Sequence, residues 1–160
     1  MARWLPFLIA VAFFSCKTRK APTMGKQPVS VYPGFLLSLE RTPCYGTCPI
    51  YKYTVDSTGK ADYLGIRFVE MEGRYVKKLS REQMEKLKAA LDKADVYAFA
   101  DAYDNSGISD LPSSILTYTT AERTKKIVCR MDCPAAFRNL FKELEQIVGQ
   151  DGFTKVPEPE

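Results

Sequence analysis

The sequence predicts an α+β domain: an antiparallel sheet of about six strands with two helices on one face, in the order ββββαββα. Three observations predict it. Short runs of strand period are separated by turn residues at hairpin spacing. Two segments switch to helical period behind recognisable start signals. The sheet-forming runs come as a block of four and a block of two, each closed by one helix.

Phe35 to Arg41 is an apolar, strand-like run. Ile50 to Asp56 alternates, with Tyr51, Tyr53 and Val55 on one face and Ile50, Lys52 and Thr54 on the other, as a half-buried strand requires. Ser57-Thr58-Gly59-Lys60 supplies a turn, and Ala61 to Met71 resumes extended character with Gly65 as the place for a bulge. Glu72-Gly73 turns the chain into Arg74 to Leu79. Ser80 stands three residues before Gln83, the spacing of a capping box, and Met84, Leu87 and Leu91 recur at helical intervals to about Ala94. An irregular stretch from Asp95 to Leu111 follows. Ser113 to Thr120 and Thr124 to Arg130 then form a second hairpin across Ala121-Glu122-Arg123. Pro134 suits the first turn of the last helix, Phe137, Leu140, Phe141, Leu144, Ile147 and Val148 form its apolar stripe, and Gly149 suits its end.

Around this domain, placed at residues 35–153, lie three segments of different character. Residues 1–15 have the parts of an export signal: Arg3, an apolar stretch from Trp4 to Phe14, and the small residue Ser15 before Cys16. Trp4 to Phe14 would rise only about 16 Å as a helix, against a hydrocarbon core of roughly 30 Å, so a spanning helix is not expected. The Ser15-Cys16 junction resembles the lipobox of bacterial lipoproteins. That resemblance implies a signal peptide over 1–15 and acylation of Cys16 by chains such as palmitate. It places the protein in the bacterial cell envelope, at the outer membrane or periplasm, with the membrane as a partner through the lipid. Residues 16–34 then read as a flexible tether. Lys17, Arg19, Lys20 and Lys26 are spaced among Pro22, Pro28 and Pro33, giving a reach of roughly 25 Å. Residues 154–160, with Pro157-Glu158-Pro159-Glu160, read as a disordered tail.

Composition excludes several functions. With Arg3 removed, 22 basic residues face 19 acidic ones, a balance too mild to predict a nucleic-acid partner. Histidine is absent, which removes Ser-His-Asp and Cys-His catalysis and every histidine-containing metal site. Among carboxylates, Asp101, Asp104 and Asp110 lie in the irregular stretch and Glu70 with Glu72 flank a turn. None reproduces an EF-hand loop, and they read as turn-forming or solvated residues rather than a carboxylate active site. Tyr45, Tyr51, Tyr53, Tyr63 and Tyr75 cluster in the meander, where packing on strands is their expected role. No catalytic residue, metal site or cofactor is predicted.

Cys44 with Cys48 and Cys129 with Cys133 are matched pairs, and an oxidising compartment favours their bonding. Four residues of extended chain span about 13 Å, against the roughly 4.4–6.8 Å between the Cα atoms of a disulfide, so bonding within a pair needs a fold-back. Gly46 offers one through positive φ. The turn from strand into helix offers another at Arg130-Met131-Asp132. Local pairing closes about five residues and contributes about 2 kcal/mol, whereas crossed pairing closes about 85 and would contribute over 4. The residues alone leave the three connectivities open.

Cys44-Tyr45-Gly46-Thr47-Cys48-Pro49-Ile50-Tyr51, with the strand, turn and capped helix that follow and then Ser109-Asp110-Leu111-Pro112, resembles the domain-of-unknown-function family numbered 6438. Its members look like small secreted or lipid-anchored bacterial proteins carrying C-x-G-x-C-P-x-Y. The resemblance spans about Leu36 to Val148 and implies a shared fold and location, without an activity. It also implies a self-contained first motif, hence Cys44 bonded to Cys48 and Cys129 to Cys133. The expected function is a lipid-anchored, disulfide-stapled binding or structural module with an envelope protein as a candidate partner. The alternative is a thiol-dependent redox or copper-handling protein using Cys44 and Cys48, since C-x-x-x-C-P is also similar to the motif of Sco-type copper chaperones, whose thiolates hold copper(I). Against it, no histidine is present and Pro49 leads into a strand, away from the helix N-terminus that would lower a thiol's pKa.

Overall fold

Strand geometry starts where the alternation does. A computed structural model describes residues 1, 32–105, 107 and 110–157 of the chain. Residues 2–15 of the expected signal, Cys16 with the tether up to residue 31, and residues 158–160 of the expected tail lie outside the described residues. Strands β1 (Leu36–Arg41), β2 (Ile50–Asp56), β3 (Lys60–Arg67) and β4 (Gly73–Lys78) form the meander, and helix α1 (Arg81–Lys93) follows. A short 3₁₀ turn at Val96–Ala98 leads to β5 (Ala102–Tyr103). Strands β6 (Ser114–Thr119) and β7 (Thr124–Cys129), helix α2 (Ala135–Val148) and β8 (Thr154–Lys155) follow.

Among the described residues, eight strands join one sheet in the order β5-β7-β6-β1-β2-β3-β4-β8. This corrects the expected sheet of about six strands in two ways. Two extra strands, β5 and β8, sit at the edges, and each has only two residues, too few to show a period. The sheet is also not purely antiparallel, because β5 pairs with β7 in parallel. Backbone bonds from Val128 N–H to the Asp101 carbonyl and from Arg130 N–H to that of Tyr103 draw the irregular stretch onto the β7 edge. At the other edge, Thr154–Lys155 pairs with Tyr75 and Val76, so the expected tail contributes a strand. Phe153 packs its ring against Tyr53 and Tyr63, an apolar anchor that holds this segment in place.

Local rules explain the rest. Ser80 accepts from Gln83 N–H while the Gln83 side chain accepts from Ser80 N–H, a complete capping box. The register of β2 on β3 shifts between Ile50 and Tyr51, whose partners are Arg67 and Gly65, so Ile66 is the bulged residue. A Cβ on Gly65 would fall 1.8 Å from the Met71 carbonyl oxygen, and only glycine admits so close a backbone.

One core results. Leu37, Leu39, Tyr53, Val55, Tyr63, Leu116 and Ile127 from the sheet join Met84, Leu87 and Leu91 of α1 and Phe137, Leu140, Phe141, Leu144 and Val148 of α2. The opposite sheet face leaves Leu36, Leu64 and Ile66 exposed. Tyr53 and Tyr63 are core residues and Tyr51 and Tyr75 are half-buried, but Tyr45 is 91% exposed, because it sits on a loop that the sheet pattern does not govern.

Candidate functional site

Strand register brings the conspicuous residues to one end of the sheet. Arg41 at the end of β1 lies opposite both Tyr51 of β2 and Ser114 of β6, and Ser114 lies opposite Cys129 at the end of β7. The loop carrying Cys44 and Cys48, the segment carrying Asp110-Leu111-Pro112, and the turn from Cys129 into α2 therefore all leave the same end of the sheet. Backbone bonds tie the first two together. Thr42 N–H donates to the Ser113 carbonyl at 3.0 Å, and Tyr45 N–H to the Asp110 carbonyl at 3.3 Å. Ser113 N–H in turn donates to Thr42 Oγ1 at 2.7 Å. Two sequence motifs far apart in the chain thus form one surface. Ser109 lies outside the described residues.

The cysteines pair locally at disulfide distance, with Cα separations of 5.9 Å for Cys44–Cys48 and 5.7 Å for Cys129–Cys133. Gly46 does not take the positive φ expected of it. Asp132, in the loop without a glycine, does, at φ 55°. Carboxamide and carboxylate side chains tolerate that region best among non-glycine residues. Cys129 is fully buried beneath its partner, while Cys44, Cys48 and Cys133 are half-buried.

Beside these loops stands a polar cluster that sequence reasoning missed. Glu145 of α2 accepts from the Tyr51 hydroxyl on one carboxylate oxygen and pairs with Arg41 Nη2 at 3.4 Å on the other. Arg41 Nη1 donates to Ser114 Oγ at 2.9 Å, and its guanidinium lies 4.6 Å from the centre of the Phe141 ring. Burial raises the Tyr51 pKa, and the hydrogen bond and charge of Glu145 raise it further. For Arg41 burial acts downwards, but Glu145 and Tyr51 outweigh it and hold the guanidinium charged. Both Glu145 oxygens are engaged, so the cluster ties α2 to β1 and β2. A signal for it did exist: Glu145 falls four residues after Phe141 and three before Val148, on the flank of the buried stripe, where a carboxylate needs partners.

Two clefts flank Glu145. One, of about 520 Å³, is lined by Arg41, Leu111, Pro112, Ser114, Cys129, Arg130, Cys133, Phe137, Arg138 and Lys142. Its mouth is cationic. Arg130 is held by Asp104 through two bonds of 2.6 and 2.9 Å, Arg138 donates to the Cys133 carbonyl, and Lys142 has no ion-pair partner among the described residues. The second cleft, of about 440 Å³, is lined by Pro49, Tyr51, Tyr53, Tyr63, Glu70 and Gln146 among others. A third, of about 370 Å³, lies at the far end of the sheet between Phe35, Tyr97, Tyr118 and Arg123. Asp101 pairs with Lys125 at 2.6 Å, and Glu72 is exposed. Of the sequence-noted carboxylates, Glu70 lines the second cleft and Asp110 contributes its backbone to the motif surface.

Fold and site together define a small, cysteine-paired α+β domain whose motif loops converge on a cationic cleft at one sheet end. The chain belongs to the family described as Domain of unknown function (DUF6438), whose model matches residues 35–148. No curated protein matches the chain.

Proposed function

We propose that this is a lipid-anchored, disulfide-stapled bacterial envelope domain that binds a protein or envelope component at the cleft beside Cys129–Cys133 and performs no turnover. The observation that carries the reading is convergence: Cys129 and Cys133, Leu111-Pro112, and Arg41 with Glu145 line a cavity of about 520 Å³, at the sheet end where the loop carrying Cys44–Cys48 is bonded through Tyr45 to Asp110. Evenly distributed features would suggest a purely structural module; a rigid, cationic, concave end suits recognition of an acidic surface. Cys16 supplies the anchor and residues 16–34 the tether that lets this end reach its partner.

Crosslinking in whole cells tests the binding. Capture of a specific partner by a photoreactive group placed at Leu111, and its loss on replacing Lys142 and Arg138 by glutamate, is expected; capture unaffected by those changes sinks the cleft as the binding surface. Cys16→Ser should move the protein from the membrane to the soluble fraction, and unchanged partition rejects the anchor. Mature protein should fluoresce as tyrosine alone, because Trp4 is the single tryptophan, and a tryptophan band would mean that the signal is retained. The half-exposed Cys44–Cys48 loop favours one other reading, a thiol-dependent redox or copper-handling role for that pair. It requires Cys44 and Cys48 to open under mild reductant in native protein.

A further inference from the structure

Cys129-Arg130-Met131-Asp132-Cys133-Pro134 repeats the spacing of the first motif, C-x-x-x-C-P, in a different structural setting. Pro49 precedes a strand. Pro134 is the N-cap of the fourteen-residue helix α2 and offers its first turn no side-chain hydrogen bond. Helix α1, by contrast, has a complete capping box and Glu82 in its first turn. No acidic residue occupies the first turn of α2, although the positive end of a helix favours one. Arg138 adds a further positive charge there, donating to the Cys133 carbonyl.

The local electrostatics of this end are therefore unbalanced, and a thiolate at Cys133 would balance them. Uncapped N–H groups of a helix start and nearby guanidinium groups are the surroundings that stabilise a cysteine thiolate. Access follows the same asymmetry. Both cysteines line the cleft of about 520 Å³, but Cys133 is half-buried whereas Cys129 is only 1% exposed. Of the cations lining the cleft, Arg41 is paired with Glu145 and Arg130 with Asp104, while Arg138 and Lys142 have no carboxylate partner among the described residues.

We propose that Cys129–Cys133 is an exchangeable disulfide, attacked at Cys133 by a dithiol partner that carries negative charge. The partner's first thiolate attacks Cys133 Sγ, the bond to Cys129 breaks, and its electron pair leaves on Cys129 as thiolate. A mixed disulfide links partner and Cys133. The partner's second thiol, deprotonated, attacks the partner sulfur of that bond and expels Cys133 as thiolate. The partner dithiol is oxidised to a disulfide, the Cys129/Cys133 pair is reduced, and the two protons lost by the partner pass to the two cysteines or to solvent. This goes beyond the binding reading and departs from it at one point: Cys44–Cys48 remains a staple, whereas Cys129–Cys133 takes part in a covalent step at one side of the same cleft, a step that requires no lipid anchor.

The test uses the folded mature protein with two dithiols, anionic dihydrolipoate and neutral dithiothreitol, followed by alkylation and peptide mass mapping. Dihydrolipoate should open Cys129–Cys133 while Cys44–Cys48 stays closed. Per thiolate it should react on the order of ten times faster than dithiothreitol at low salt, the gap shrinking in high salt and with Lys142→Gln, as electrostatic steering requires. In Cys129→Ala protein, glutathione disulfide should load a single glutathione on Cys133. If that variant does not fold, the wild-type mapping decides alone. Persistence of Cys129–Cys133 until the fold is lost, or earlier opening of Cys44–Cys48, overturns the assignment. Equal rates for the two dithiols overturn the anionic partner. Crosslinked capture of a partner is unaffected by any of these results, so the two readings fail separately.

Discussion

Replacing Glu145 by alanine should destabilise the domain by about 2.5 kcal/mol, and the figure can be assembled from its two partners. A hydrogen bond to a charged group contributes about 1.5–3 kcal/mol. The Tyr51 hydroxyl, half-buried and aimed at the carboxylate, falls near the lower part of that range. The ion pair contributes less, about 1 kcal/mol, because the Arg41 side chain remains 35% exposed and Glu145 20% exposed, so water recovers part of the loss. For a domain of this size each kcal/mol shifts Tm by about 4 °C, giving a fall of about 10 °C. Urea unfolding followed by far-UV circular dichroism, with both cysteine pairs oxidised, reads the change. In a double-mutant cycle with Tyr51→Phe, the coupling should be about 1 kcal/mol. Exchanging all three polar residues for apolar ones (Arg41→Met, Tyr51→Phe, Glu145→Leu) should recover most of the stability, because no charge is then left unpaired. A loss below about 0.5 kcal/mol for Glu145→Ala, or zero coupling to Tyr51, would refute the claim that this cluster fastens α2 to the sheet.

Three further outcomes follow from particular side chains. Burial raises the pKa values of Tyr51, Tyr53, Tyr63 and Tyr118, that of Tyr63 to about 12. Their folded pKa values exceed the unfolded value near 10, so the stability they contribute is complete below pH 10 and lost as pH rises through the folded values. Alkaline titration of ellipticity should show this loss, and Tyr51→Phe should make it shallower; an equally steep loss would rule out Tyr51 as a contributor. Gly65→Ala should cost about 2–3 kcal/mol, since its Cβ would meet the Met71 carbonyl oxygen at 1.8 Å and Val69 Cγ2 at 2.9 Å. Unchanged urea midpoints would mean that the bulge relaxes freely. Ser80→Ala should cost about 1 kcal/mol, with most of it restored by Ser80→Asp, because an aspartate also accepts from the Gln83 N–H.

Elements with a period were legible from the chain, and features made by meeting were not. The alternation of Ile50–Asp56, the Ser80 to Gln83 box and the Phe137 to Val148 stripe each encode their element locally, because side-chain burial on a strand or helix repeats with the backbone. Strands β5 and β8 have two residues each and no such repeat. They exist because Asp101 and Tyr103 carbonyls reach β7 and because Phe153 finds an aromatic pocket. The α2 residue Glu145 was legible only as a carboxylate on the flank of a stripe; its partners are Arg41 and Tyr51, some ninety residues or more away.

The sequence by itself determined the family, the α+β class, the helix starts and the cysteine spacings, all of which depend on neighbours along the chain. Tertiary structure decided which cysteine of the second pair stays exposed, that Asp132 rather than Gly46 takes the left-handed backbone, and that the two motifs share one surface. Strand register sets those relations, and register comes from pairing between segments whose separation along the chain says nothing about their distance in space.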